Sequence, residues 1–148
     1  MAEDEKVPIH IRIKSKIFQG GEEQTINQSS SGEIINKKNN TSIIIYQSKG
    51  KEVWLKISPD RKKVIYSADK NQTYLIYDRN TDFVKSEYFT PYGTFLVYIK
   101  TQKIEFKQKK KRGKVHLVYK IFQQNKSIGN FDLSLIFSPM VSKLNKIH

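Results

Sequence analysis

Apolar and polar residues alternate along much of this chain with a period of two. Val7, Ile9, Ile11 and Ile13 interleave with Pro8, His10, Arg12 and Lys14, which predicts a half-buried strand. Val53, Leu55 and Ile57 alternate with Trp54 and Lys56, and Val115, Leu117, Tyr119 and Ile121 share one face of a later run. Phe131, Leu133, Leu135 and Phe137 do so again, opposite Asp132, Ser134 and Ile136. Ile43 to Tyr46 is apolar on both faces, which suits a strand buried on both sides or one that lines a cavity. The stretch from Tyr88 to Thr101 is the most telling, because two aromatic and β-branched runs meet at Pro91-Tyr92-Gly93. Pro91 suits the first central position of a type I turn, and Gly93 its last position.

Turn signals punctuate these runs every 8–12 residues or so, the spacing of an all-β sandwich or barrel. They include Gly20-Gly21, Lys38-Asn39-Asn40, Lys49-Gly50, Pro59-Asp60, Asp69-Lys70-Asn71 and Gln124-Asn125-Lys126. A polar strand is expected over Glu22 to Ser30, interrupted at Gly32, and two separate strands at Thr94 to Ile99 and around Ile104 and Phe106. No segment shows helical spacing. Consecutive hairpins predict a single up-and-down antiparallel β-barrel, whose closure removes exposed edges. The expected organisation is an acidic, frayed leader over 1–6, a barrel domain over 7–139 and a basic tail over 140–148. Pro8, which has no N–H, makes its end of the first strand either the first residue or an edge.

Composition narrows the chemistry. With no Cys there is neither a disulfide nor a thiolate site, and a reducing, cytoplasmic location is expected. The acidic start has no apolar signal segment, and no run approaches the ~18 apolar residues of a membrane span. The net charge of +13 raises attraction to polyanions, centred on Lys109, Lys110, Lys111 and Arg112 in one basic loop tip. Only four Arg accompany 23 Lys, so bidentate reading of bases or phosphates has little support. Any nucleic-acid binding is expected to be weak and non-specific.

Catalytic signals are sparse. His10, His116 and His148 form no His-x-His or Glu-His cluster, so no metal site is expected. Adjacent acids such as Glu22-Glu23 point to opposite sides of a strand. Glu87 and Glu105 alone lie well inside apolar strands, as outward partners for Lys or, on a weaker reading, as acids of an enzyme cavity. No phosphate-binding loop or nucleophile elbow occurs. A non-enzymatic protein without a cofactor is the expectation.

Several short motifs together resemble a known family. They are Ile13-Lys14-Ser15, Gly20-Gly21-Glu22, Ser31-Gly32, Tyr88 with Thr90-Pro91-Tyr92-Gly93-Thr94, Thr101, Ile104-Glu105, Gly113, Tyr119 and Ile128-Gly129-Asn130. In this order they resemble the YwiB-like family of low-GC Gram-positive bacteria, a domain of unknown function. The resemblance implies a calycin, lipocalin-like barrel but no activity. Where that family carries an Arg and a Gly after its mid-chain strand, this chain has Ile65-Tyr66-Ser67-Ala68. Because the strand faces are rich in Ile, Phe and Tyr rather than in charge, the barrel interior is expected to take a small apolar ligand, with Tyr88, Tyr98, Tyr119 and Trp54 as candidate cavity residues. Without an interior Arg, a neutral ligand fits better than an anionic one.

Overall fold

The structure, a computed structural model, describes residues 4–140. Ten strands follow one another in chain order. They are β1 (Glu5–Gln19), β2 (Glu22–Asn36), β3 (Ser42–Ser48), β4 (Lys51–Ile57), β5 (Lys63–Ala68), β6 (Thr73–Asp78), β7 (Val84–Thr90), β8 (Gly93–Lys109), β9 (Arg112–Gln123) and β10 (Lys126–Pro139). Each pairs antiparallel with its sequence neighbours, and β1 pairs with β10, which closes an up-and-down barrel. Closure follows from the alternation. Most strands offer one apolar face, with the polar β2 adding only Ile34 to the core, and a closed sheet turns these faces toward one core while leaving no ladder unpaired.

That core contains Ile9, Ile11, Ile44, Leu55, Leu117 and Phe137, all at most 1% exposed. Because the connections are short, the turns fall into two sets at opposite ends of the barrel. The β1–β2, β3–β4, β5–β6, β7–β8 and β9–β10 turns rim one end, here called the mouth. The β2–β3, β4–β5, β6–β7 and β8–β9 turns form the far end. Arg61 closes that far end. Its guanidinium donates to Asn40 O at 2.7 Å and Ser58 O at 3.1 Å, and lies 4.7 Å from the centre of the Phe106 ring.

Four local features depart from the alternation. β1 begins at Glu5, inside the expected leader, because Glu5 and Lys6 pair with Asn36 and Ile35 through backbone, with Lys6 Nζ also 3.5 Å from Glu33 Oε1 of β2. β2 runs unbroken through Gly32, where a Cβ would lie 2.2 Å from Ile45 O, so this glycine admits a close strand crossing rather than a turn. β8 is one 17-residue strand instead of two, and the irregularity between Thr101 and Lys103 is a bulge that keeps it in register with β9. The wall is also thin between β6 and β7, where Tyr74 and Glu87 are the one paired position. Side chains bridge this seam: Ile76 N donates to Ser86 Oγ at 3.0 Å and Phe89 N to Thr73 Oγ1 at 3.1 Å.

Pro8 sits opposite Glu33 of β2, one residue before the Ile9–Pro139 pair at which the ladder with β10 begins. Of the expected tail, Met140 donates its N–H to Pro8 O at 3.3 Å, and 141–148 lie outside the described residues.

Candidate functional site

The core does not fill the barrel to the mouth. A cavity of about 380 Å³ opens there, between the β1–β2 side of the barrel and β4 to β7. Its wall follows from strand parity. Val53 on β4, Tyr66 and Ala68 on β5, Leu75 and Tyr77 on β6, Tyr88 on β7, Tyr119 on β9 and Phe131 on β10 all take the inward side of their strands. The rings are mutually packed. Tyr77 and Tyr119 meet edge to face at 4.5 Å between centroids, and Tyr119 stacks on Phe131 at 5.2 Å with 8° between planes.

Burial dominates the electrostatics. It raises the Tyr77 hydroxyl well above the usual tyrosine range, with the neighbouring Tyr119 adding to the effect. The Tyr119 hydroxyl is pushed up to about 12, again mainly by burial. Tyr46 and Tyr66 are raised for the same reason. All four are therefore neutral hydroxyls near pH 7, able both to donate and to accept. Charge also borders the cavity, in Lys16, Lys49, Lys51 and Asp132. Lys51 Nζ lies 3.5 Å from Asp69 Oδ2 and 5.7 Å from the centroid of the Phe89 ring, so its ammonium is already partnered.

Of the four cavity residues expected from sequence, Tyr88 and Tyr119 line this space. Trp54 and Tyr98 do not. Their neighbours Val53 and Leu55, and Val97 and Ile99, point inward, and the period of two sends the intervening ring outside. Trp54 is 41% exposed and donates its indole N–H to Glu52 Oε1 at 2.5 Å. It lines an outer groove of about 580 Å³ with Lys56, Ile65 and Tyr74. Tyr66, Tyr77 and Phe131 line the cavity beyond the four residues expected. The signal was available, since Tyr66 shares the parity of Val64, and Tyr77 that of Leu75.

The other candidates lie elsewhere. Lys109, Lys110, Lys111 and Arg112 form the exposed β8–β9 hairpin tip at the far end, opposite the mouth. Glu87 is exposed, opposite Tyr74 and Leu96 on the outer surface. Glu105 is also on the outside, with Lys114 at 3.1 Å and Lys107 at 3.7 Å. The Lys114 contact is the main reason that its carboxyl is held below the usual range. His10 is exposed, and His148 lies outside the described residues. His116 Nε2 is 2.7 Å from Asp132 Oδ1, a pair with no third ligand; no group of three metal-ligating side chains occurs among the described residues.

With this geometry established, comparison with known proteins adds two findings. A family model described as "Domain of unknown function (DUF1934)" matches residues 11–135. The crystal structure of the ywiB protein from Bacillus subtilis superposes with a TM-score of 0.80 at 14% identity, over 93% of this chain and 96% of that one. At that identity the likeness speaks for the fold alone. The two findings agree with the resemblance drawn from the Thr90–Thr94 block and its companion motifs. No curated protein matches the chain.

Proposed function

The chain belongs to the DUF1934 family, and from that premise we propose that its barrel binds a small, largely apolar, uncharged molecule through the mouth. The observation that carries this reading is the cavity itself. It is enclosed by rings on several sides, opens at one end, and falls within the range of about 300–1,000 Å³ occupied by ordinary ligand pockets.

The ligand class follows from the electrostatics of the wall. The burial that raises the tyrosine hydroxyls disfavours any charged group in the same space, so a carboxylate drawn in beside Tyr77 and Tyr119 would lose hydration and would have to reach Lys16, Lys49 or Lys51 in the lining for a cation. Neutral hydroxyls instead match a carbonyl or hydroxyl on an otherwise apolar body. Lys51, already next to Asp69, leaves the rim tolerant of a polar end group without requiring an anionic one. The reading is of a binder without turnover, because Glu87 and Glu105 both lie outside the cavity.

A thermal-shift screen tests this proposal. Neutral apolar compounds bearing one carbonyl or hydroxyl should raise the melting temperature more than fatty acids of equal length, since a ligand that binds only the folded state stabilises by mass action. Ala68→Trp places an indole in the cavity wall and should abolish the shift while the variant keeps its β-rich spectrum. A shift that survives in Ala68→Trp, or a preference for the fatty acids, would count against the proposal. Trp54 fluorescence serves as a control that should stay constant, because the indole is on the outer surface.

A further inference from the structure

We propose that the far end of the barrel, opposite the ligand mouth, is a docking face for the phosphate backbone of nucleic acid. The observation behind it is how the charge is distributed rather than how large it is. The start of β1 (4–6) and the four far-end turn regions (37–41, 58–63, 78–83 and 107–114) hold thirteen Lys and Arg against five Asp and Glu, a net +8. The five mouth turn regions (18–23, 47–52, 68–73, 88–95 and 122–127) hold four of each sign, a net of zero. A Lys-rich composition by itself would load both ends alike. The fold has segregated the charge.

The far end is also a tied platform. Arg61 joins the β4–β5 turn to Asn40 of the β2–β3 turn and covers Phe106 of β8, while Arg79 N donates to Lys62 O at 2.9 Å across to the β6–β7 turn. Cations held on linked turns lose less freedom on binding than cations on a loose tail. Within the platform, Glu105 partners Lys107 and Lys114. The tip residues Lys109, Lys110, Lys111 and Arg112 are exposed and have no carboxylate within ion-pair distance among the described residues.

The same details define the kind of partner. Arg61 and Arg79 direct their guanidinium groups to backbone carbonyls, so the tip contributes one free Arg and three Lys, which act as point charges. Such a set reads phosphates and not base edges, and binding should be independent of sequence. An anionic membrane is the poorer match. Membrane docking draws on interfacial aromatic anchors, and the exposed Tyr88, Tyr92 and Phe95 sit at the opposite end, whose net charge is zero, against Phe83 in the far-end turns, which packs on Phe122.

The test compares two variants of equal charge. K109Q/K110Q/K111Q/R112Q removes the tip, whereas K14Q/K56Q/K85Q/K126Q removes four exposed lysines from outside the far end. Fluorescence anisotropy with labelled duplex and single-stranded oligonucleotides, over a salt series, gives affinity and the slope of log K against log salt. The tip variant should bind roughly tenfold or more weakly at low salt. Its slope should flatten by about 3, since each phosphate contact contributes about 0.9 to the duplex slope. The other variant should stay within about threefold of the parent, with a slope changed by less than about 1. Equal losses in the two variants would show that net charge alone attracts the ligand and would overturn the proposal. So would no binding at low salt, or tighter binding to phosphatidylserine vesicles than to either nucleic acid.

Discussion

A Cβ at Gly32 would lie 2.2 Å from the backbone oxygen of Ile45, and no flexible group stands in between. The backbone of β3 has to move to accept even alanine, so Gly32→Ala should destabilise by about 3 kcal/mol, the upper range for overpacking. Gly93 is different. It has open space around the missing Cβ but φ of +127°, so Gly93→Val should cost about 2 kcal/mol through backbone strain alone. Thr101 runs the other way. Its buried Oγ1 has no partner among the described residues, and Thr101→Val should raise stability by about 1 kcal/mol. Urea midpoints measure all three; a loss on Thr101→Val would mean that the hydroxyl is satisfied in solution. The buried tyrosines make a pH statement. Tyr119 ionises near 10 in the unfolded chain and at about 12 in the barrel. Its contribution is therefore fully present below pH 10 and is lost as pH rises from 10 through 12. Stability that instead fell between pH 7 and 9 would contradict that burial.

At the scale of elements, the seam between β6 and β7 is the weak place in the wall. Two backbone N–H groups there rely on hydroxyls, Ile76 on Ser86 and Phe89 on Thr73. Ser86→Ala should cost about 1–2 kcal/mol by leaving a buried donor unmet. Native-state hydrogen exchange should show the amides of Ile76 and Phe89 opening before those of β1 or β10; protection equal to that of Ile11 would refute the weak seam. This seam was not legible in the sequence, because alternation reports which face is buried and is silent on how many ladder bonds two neighbours share. The strands themselves were legible wherever the inward side was aliphatic, as in Val7 to Ile13 and Val115 to Ile121. The reading failed where a polar run or a bulge broke the period, which is why β2 and β8 came out in pieces. It failed for Trp54 and Tyr98 for another reason. An aromatic residue suits either face of a pleated strand, and only the parity of its neighbours decides which.

At the scale of the molecule, the barrel has two unlike ends. The mouth is electrically neutral, ringed by aromatic groups and open to a cavity; the far end is closed by Arg61 and carries most of the net charge. The Lys-rich tip was legible in the sequence, but its companions were not, since the turns that join it are up to about half the chain away. Removing the Arg61 guanidinium should therefore loosen one end without touching the other. Arg61→Ala is expected to lower stability by about 1–2 kcal/mol, through the lost hydrogen bonds to Asn40 and Ser58 and lost cover on Phe106, while leaving small-ligand affinity within about twofold. The central claim is that ligands enter at the mouth. Titration of a neutral apolar carbonyl compound into isotope-labelled protein, followed by amide chemical shifts, tests it most directly. The account predicts saturable shifts at Val53, Ala68, Thr73, Tyr88 and Tyr119, with Lys110 and Lys111 unmoved. Shifts confined to the outer groove around Trp54 and Ile65, or no saturable shift from any such compound, would contradict it.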